Sequence, residues 1–416
     1  MEIQLLGGAS EVGRSAIMLR DKINILLDYG IKIDGNVEYP VMPKSVDVFA
    51  LSHAHLDHSG SAPALYFAVP PITIGTKPTL ELSNLLIKDS MKLANKKHAK
   101  PRFFNKQLAV FNKNYKSKEY GIAEEVDGHS ITFYDAGHIL GSALTLIERY
   151  NDGKRILYTG DFKLAEQNLQ YGASAIKADI LITESTYATS EHPDRKRLIN
   201  EFATAIKEVL ENGGTALLPC FAVGRAQELL AMLYNKRLSE YVCIDGMAKD
   251  ATEITLKYAD SLKDAKSLES AARDAIWLGS HNERVRIMKE PHIIITTAGM
   301  LNGGPVLDYI KMLNANSKIF LTGYQIEGTN GRRVLENKPI ILDGKKFKVR
   351  TPVAFYDFSA HAGKSDLYDF VRQVNPEVVV CVHGEMQSTN DFASALEVEG
   401  FEAYAPKIND VIDLAI

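Results

Sequence analysis

The sequence predicts an α/β protein of more than one domain, and three observations carry that prediction. Apolar strand-like runs alternate with helix-period segments along most of the chain. The alternation becomes most regular between about Thr215 and Gln325. A length of 416 residues exceeds what one hydrophobic core usually organises.

The chain opens with the short apolar runs IQLLGGA, SAIMLR, INILLDYG and VDVFALS, each bounded by turn chemistry, which reads as a strand-rich start. TLELSNLLIKDSMKLANKK then changes to helical spacing. Strand-like runs return in HSITFYDAG, ALTLIERY, RILYTGDF and ADILITES, followed by the helical DRKRLINEFATAIKEVLENGG with glycine as its stop signal. From there TALLPCFA precedes GRAQELLAMLYNKR, YVCIDG precedes ATEITLKYADSL, HIIITTAG precedes PVLDYIKMLN, and SKIFLTGYQ closes the series. Such alternation predicts a parallel sheet flanked by helices. The tail, with TPVAFYDFSAHAG, a helix from Asp366 and EVVVCVHGE, resembles the opening in carrying polar residues at strand ends.

No window offers about 18 uninterrupted apolar residues, and MEIQLLGGASEVGRS lacks the basic and apolar regions of a secretory signal. No membrane partner is expected, and the expected location is the cytoplasm. Cys220, Cys243 and Cys381 are odd in number, far apart and each inside an apolar run. That is the pattern of reduced core thiols, so any metal must be held by histidine and carboxylate. The net charge of -4 decides nothing about nucleic acid, because binding depends on where charge lies. Between Lys92 and Lys118 the chain carries Lys92, Lys96, Lys97, Lys100, Arg102, Lys106, Lys113, Lys116 and Lys118 with no acidic residue, interleaved with Phe103, Phe104, Phe111 and Tyr115. Such a run can track a phosphate backbone, and it can equally be a solvated helix and loop.

The rare ligand types fall at strand ends. Asp28 follows INILL, His138 follows ITFYDAG, Asp161 follows RILYTG, Glu184 follows ADILIT, His361 follows VAFYDFSA and His383 follows EVVVCV. Any one of them alone reads as a capping aspartate or a hydrogen-bonded buried histidine. Taken together with SHAHLDHSG after VDVFAL, they point to one convergent cluster, because loops at strand ends meet in a site in layered α/β folds. His98, His129, His192, His281 and His292 lack that setting and read as structural or surface residues.

SHAHLDHSG sets His53, His55, Asp57 and His58 close together. A tight loop lets His53 and His55 point to one metal while Asp57 and His58 turn toward a second, and imidazole with carboxylate suits zinc. Two metals about 3.5 to 4 Å apart can generate hydroxide near neutral pH and clamp both oxygens of a phosphoryl displacement. A carboxylate must bridge such a pair, and Asp161 after Gly160 is the candidate. The motif alone leaves the substrate open among thioester, lactam, phosphodiester and redox chemistry.

SHAHLDHSG, DAGHILGSA, TGDF and Asp28 resemble the successive motifs of the metallo-β-lactamase superfamily. Glu184 in TEST, His361 in FSAHAG and His383 in VHGE resemble three further motifs of its β-CASP nuclease branch. The likeness continues through GGASEVGRS, PCFAVGRAQE, TAGMLNGGP and TGYQIEGTNGR, and so covers nearly the whole chain. It is strongest toward RNA-processing members related to the cleavage-and-polyadenylation endonuclease, in compact archaeal or bacterial form. The resemblance implies an αββα sandwich over residues 1–188 and 353–416, with a β-CASP domain inserted over 189–352 and substrate entering between them. It implies two zinc ions per chain, one held by His53, His55, His138 and Asp161 and the other by Asp57, His58, Asp161 and His383, with Asp57 also among the catalytic residues. Asp28 would orient ligands from behind. His361 would be the general acid toward the leaving oxygen, with Glu184 hydrogen-bonded to it. Gly363 departs from the family, which often has aspartate at that position, so support from that carboxylate is missing.

Gly224 and Arg225 in AVGRAQE sit at an expected helix start, where free amides and a guanidinium can receive a phosphate. Gly303 with Gly304, and Gly331 with Arg332 and Arg333, are similar candidates, although each such loop can also be a plain turn. Ser359 adds a hydroxyl near His361. The expected function is a zinc-dependent ribonuclease acting on single-stranded RNA, as an endonuclease or a 5′-to-3′ exonuclease using the same metal residues. One alternative is a non-catalytic RNA-binding subunit, against which the full ligand set speaks. The other is a hydrolase of small esters or thioesters, which leaves Glu184, His361, His383 and the inserted domain unexplained. DNA-specific relatives typically have an apolar residue at the position of His383, so this histidine favours RNA. A homodimer and a larger RNA-processing complex both stay open, and no N-terminal RNA-binding domain is expected because the chain starts with its first strand.

Overall fold

Side chains alternate between two faces along a strand, and here that alternation sorts the apolar residues of two sheets into three buried layers. Ile17, Leu19, Ile25, Leu27, Val48 and Ala50 meet Ile131, Phe133, Ile156, Tyr158, Ile180, Ile182, Val378 and Val380 in one central cluster. The residues between them face outward. Met18, Leu26 and Phe49 pack with Ile87, Leu108 and Phe111 from helices Lys77–Lys96 and Asn105–Asn114. Leu144, Leu157, Leu181 and Val379 pack with Phe370, Val371, Phe392 and Leu396 from helices Lys364–Val374 and Met386–Val398. The result is a helix–sheet–sheet–helix sandwich. Each fully buried Ile, Leu or Phe stabilises it by roughly 1.5–3 kcal/mol.

The computed structural model describes residues 1–34, 36–96, 102–342 and 344–414. Its first unit comprises Met1–Glu166, Tyr171–Glu191 and Ala360–Ile416. One of its seven-stranded sheets runs in the order Val411–Asp413, Glu2–Gly7, Ala16–Arg20, Asn24–Leu27, Val48–Ala50, Ile72–Gly75, Tyr115–Ser117. The other runs Glu402–Tyr404, Val378–Val382, Ile180–Glu184, Arg155–Tyr158, Ala143–Arg149, His129–Asp135, Glu124–Val126.

The second unit comprises Gln167–Gln170 and His192–Ser359. Its six-stranded sheet is parallel throughout, in the order Ile276–Trp277, Val242–Asp245, Ile293–Thr296, Ala216–Pro219, Lys318–Leu321, Val353–Phe355. Flanking helices include Arg195–Glu211, whose Asp194 cap accepts the Arg197 amide at 2.7 Å and which stops before Gly213 at φ 75°. Leu217, Ile294 and Ile319 from the strands pack with Val306, Tyr309 and Ile310 of helix Val306–Met312. Residues 353–359, expected in the returning part of the sandwich, lie in this unit instead, because Val353–Phe355 pairs with Lys318–Leu321. Residues 167–170, also expected in the sandwich, are held here by Glu228, which accepts the amides of Asn168 at 3.0 Å and Leu169 at 2.7 Å. No helix among the described residues is long and apolar enough to cross a membrane.

Candidate metal centre

Strand direction gathers the ligand types. Asn24–Leu27 and Val48–Ala50 are parallel neighbours, so Asp28 and the His53 loop leave one sheet at the same edge. Arg155–Tyr158, Ile180–Glu184 and Val378–Val382 are also parallel, which brings Asp161, Glu184 and His383 together at one edge of the other sheet. His129–Asp135 runs the same way, being two antiparallel steps from Arg155–Tyr158, and it delivers His138. Asp28 at φ 57° and His383 at φ 48° adopt left-handed backbone, a strain of about 1–3 kcal/mol each that the surrounding contacts must hold. The one-turn helix Leu56–Ser59 begins directly after His55 and carries Asp57 and His58. It lies against Gly30, where an added Cβ would stand 1.7 Å from the Asp57 carbonyl oxygen.

Asp161, 2% exposed, stands at the centre. Its Oδ2 lies 3.5 Å from His53 Nε2 and 3.7 Å from His138 Nε2, while its Oδ1 lies 3.2 Å from His58 Nε2 and 3.5 Å from His383 Nε2. The two oxygens therefore face two different groups, one of His53, His55, His138 and Asp161, the other of Asp57, His58, Asp161 and His383. Within each group the ligand atoms all lie within 4.8 Å of one another. His55 Nδ1 and His138 Nε2 are 3.1 Å apart, and His383 Nε2 is 3.7 Å from Asp57 Oδ2.

The opposite ring nitrogens are tied down. His138 Nδ1 donates to the Ala360 carbonyl at 2.9 Å and His58 Nδ1 to Asp28 Oδ2 at 2.7 Å. Ser52 Oγ spends its proton on Asp28 Oδ2 at 2.7 Å, so its contact with His53 Nδ1 at 3.0 Å must accept the ring proton. His383 Nδ1 meets Ser15 Oγ at 2.9 Å. With Nδ1 occupied by these partners, Nε2 is the nitrogen that His53, His58 and His138 turn toward Asp161, which is how outer partners prepare imidazole for a metal. Asp28 also accepts the Ser52 amide and the Tyr158 hydroxyl, each at 2.7 Å.

Protonation follows the same division. Burial and the neighbouring His53 push His55 down to about 4. Burial likewise lowers His138 and His383, leaving neutral rings able to ligate. Burial works against a charge on Asp161, but His58 and His383 hold it well below the carboxylate range. Burial also opposes a charge on His58, yet Asp161 and Asp28 raise it well above the histidine range, so a cation arriving there would displace a proton. The buried His53 Nε2, His58 Nε2 and Asp161 Oδ1 make no hydrogen bond, a cost of about 1–3 kcal/mol for each such atom that a cation would remove. The residues present fit a metal site.

Beside this cluster, His361 Nδ1 lies 2.9 Å from Glu184 Oε2 and 3.1 Å from Oε1, and its Nε2 is 3.9 Å from Asp161 Oδ2. Glu184 is fully buried and also accepts the Phe162 amide at 2.9 Å. Burial lowers the affinity of His361 for a proton, but Glu184 and Asp161 outweigh it and bring the ring up to about 9.

The remaining candidates lie in the second unit. Gly224, φ 84°, caps helix Arg225–Asn235, and its amide already donates to Gln227 Oε1 at 2.8 Å. Arg332 is paired with Glu336 at 2.7 Å, and Arg333 donates to the Pro339 carbonyl at 2.6 Å. The Ser359 amide donates to Asp357 Oδ1 at 3.0 Å. Gly331 approaches Gln325 so closely that a Cβ would meet its Oε1 at 1.6 Å, a packing reason for glycine there. The aromatics of the basic run are mostly core, since Phe103, Phe111 and Tyr115 are buried and only Phe104 is exposed. Lys116 and Lys118 of that run pair with Glu124. Lys97, His98 and Lys100 lie outside the described residues. His129 pairs with Asp21 in the first unit and His192 with Asp357 in the second, each at 3.1 Å, and neither belongs to a ligand group. Cys220, Cys243 and Cys381 are buried free thiols. Sequence reading missed Ser15, Ser52 and Tyr158; their only signal is adjacency to the motifs GGASEVGRS, SHAH and YTGD.

A two-sheet sandwich with a buried His and Asp cluster at its strand ends defines a metallo-hydrolase. Residues 10–191 match the metallo-beta-lactamase superfamily, 226–334 the Beta-Casp domain, and 346–406 the Zn-dependent metallo-hydrolase RNA specificity domain. The chain is 40% identical to "Probable RNase MJ4" of Methanocaldococcus jannaschii, over 99% of this chain and 100% of that protein. It is 35% identical to "RNase aCSPSF2" of Saccharolobus solfataricus, over 99% of this chain and 85% of the relative. It is also 32% identical to "Transcription termination factor FttA" of the former organism, over 95% of this chain and 69% of that protein. A crystal structure of a protein of unknown function from Enterococcus faecalis V583 shares the fold, with a TM-score of 0.64 at 15% identity over 99% of both chains. The chain belongs to the β-CASP ribonucleases of the metallo-β-lactamase superfamily.

Proposed function

We propose that the protein is a zinc-dependent ribonuclease that hydrolyses phosphodiester bonds of single-stranded RNA with two zinc ions per chain. The observation that carries this reading is Asp161, whose two oxygens each face a separate group of imidazole and carboxylate ligands. His53, His55, His138 and Asp161 would hold one ion, and Asp57, His58, Asp161 and His383 the other. When bound, such a pair supplies a nucleophile at neutral pH and neutralises charge on the phosphoryl group.

The chain's own residues do the rest. Asp28, Ser52 and Ser15 fix the imidazoles so that the ligating nitrogens need no reorganisation. Glu184 accepts the hydrogen bond of His361 Nδ1–H, which leaves the Nε2 proton for transfer to the leaving ribose oxygen. In the second unit Gly224, Arg225, Arg332, Arg333 and Ser359 are proposed to contact the RNA backbone, with guanidinium groups suited to phosphate. The buried free thiols fit a reducing, cytoplasmic compartment.

The deciding experiment uses protein of known metal content and RNA labelled at either end, carrying 5′-monophosphate, triphosphate or hydroxyl. Internal cuts independent of the 5′ group mark an endonuclease, and shortening from a 5′-monophosphate end marks an exonuclease. Tight RNA binding without any cleavage, at full metal occupancy, would replace this reading by that of a non-catalytic RNA-binding subunit.

A further inference from the structure

His361 has no helix or strand to hold it, since residues 356–363 form no regular secondary structure. Its main chain is pinned residue by residue. The Ala360 carbonyl accepts His138 Nδ1 at 2.9 Å, the Ala362 amide donates to the Phe162 carbonyl at 2.7 Å, and between them the His361 carbonyl accepts Lys163 Nζ at 2.9 Å. Lys163 is 4% exposed. A buried ammonium costs free energy unless it is hydrogen-bonded, and the His361 carbonyl is an acceptor that meets this need. The segment Asp161-Phe162-Lys163 spans the whole arrangement: Asp161 faces the ligand groups, the Phe162 amide holds Glu184 at 2.9 Å, and Lys163 holds the peptide of the residue that Glu184 orients.

We infer that Lys163 is a positioning residue for proton delivery by His361, holding its peptide so that Nε2 faces the leaving oxygen. This rests on the reading of His361 as general acid. In that step a water that has given up one proton to solvent attacks as hydroxide, its oxygen bonds to phosphorus, the bond from phosphorus to the ribose oxygen breaks, and the Nε2 proton of His361 passes to that oxygen, leaving the imidazole neutral. Glu184 sets the rotation of the ring, whereas Lys163 sets where the ring starts. Rate is sensitive to such placement, with a shift of about 1 Å costing on the order of 10²-fold.

The test compares RNA with an ordinary linkage and RNA with a bridging sulfur at the leaving position, whose thiolate departs without protonation. Wild type, Lys163→Met, Lys163→Arg and His361→Ala are assayed as metal-loaded full-length chains for kcat, KM and metal content. Lys163→Met should keep its metal and its KM, lose about 10²-fold in kcat on the oxygen linkage, and lose little on the sulfur linkage. Lys163→Arg, which retains a donor, should show the same preference to a smaller degree, and it decides the matter alone should the methionine variant fail to fold. An equal loss on both linkages, or no loss on either, overturns the role of Lys163. His361→Ala separates the two readings. If it shows no preference for sulfur, the general-acid assignment itself falls; if it does and the Lys163 variants do not, only the positioning role falls.

Discussion

The carboxylate of Asp28 accepts the Nδ1 proton of His58 at 2.7 Å, with both side chains fully buried. The same carboxylate reaches His53 through Ser52, so one residue orients two imidazoles. Asp28→Ala should therefore weaken metal binding by about 10- to 100-fold while every direct ligand remains in place. Competition against a chromogenic chelator measures this. Wild-type affinity in a folded variant would show that the rings orient themselves.

Asp161→Ala should lose metal from both groups at once, since each of its oxygens faces one of them. His383→Ala, which touches only the second group, should retain the first ion. Elemental analysis after dialysis distinguishes a shared carboxylate from two independent sites. Chelation of the wild type should likewise lower its melting temperature, because ions bound only by the folded chain stabilise it.

Gly30→Ala is expected to be severe for so small a change. A Cβ 1.7 Å from the Asp57 carbonyl oxygen forces the turn that carries Asp57 and His58 to move. Overpacking of this kind costs typically about 1–3 kcal/mol, and metal affinity should fall with it. Thermal unfolding with and without added zinc would detect both effects, and an unshifted midpoint would mean that the turn relaxes freely.

His361→Ala should retain its metals and RNA affinity yet cleave about 10²- to 10⁴-fold more slowly on the ordinary linkage. His361 touches Glu184 and approaches Asp161 but belongs to neither four-residue ligand group. Loss of metal in this variant would make it a ligand instead of an acid.

Arg225→Ala, Arg332→Ala and Arg333→Ala should weaken RNA binding across sequences and flatten its salt dependence by a log–log slope of about 0.7 for each lost phosphate contact. Arg332 should show the smaller effect, because Glu336 already holds its guanidinium at 2.7 Å. Slopes identical to wild type in all three would remove them from the RNA path.

The α/β class, the parallel sheet of the second unit and the histidines and carboxylates that converge are legible in the sequence alone. A short continuous apolar run such as ADILITES is a local property of the chain, and a histidine or carboxylate ending such a run carries its chemistry with it. Tertiary structure decided how those residues are used. Which oxygen of Asp161 faces which group depends on two sheets packing face to face with these strand ends on one side, and the contact of Ser15 with His383 joins residues 368 positions apart. Lys163 under the His361 carbonyl leaves no trace in periodicity for the same reason. The second unit claimed residues 353–359 because an unpaired sheet edge accepts whichever strand packing brings to it. Phe103, Phe111 and Tyr115 became core and not a stacking platform, because burying large rings against a sheet removes more apolar surface from water than leaving them beside lysines.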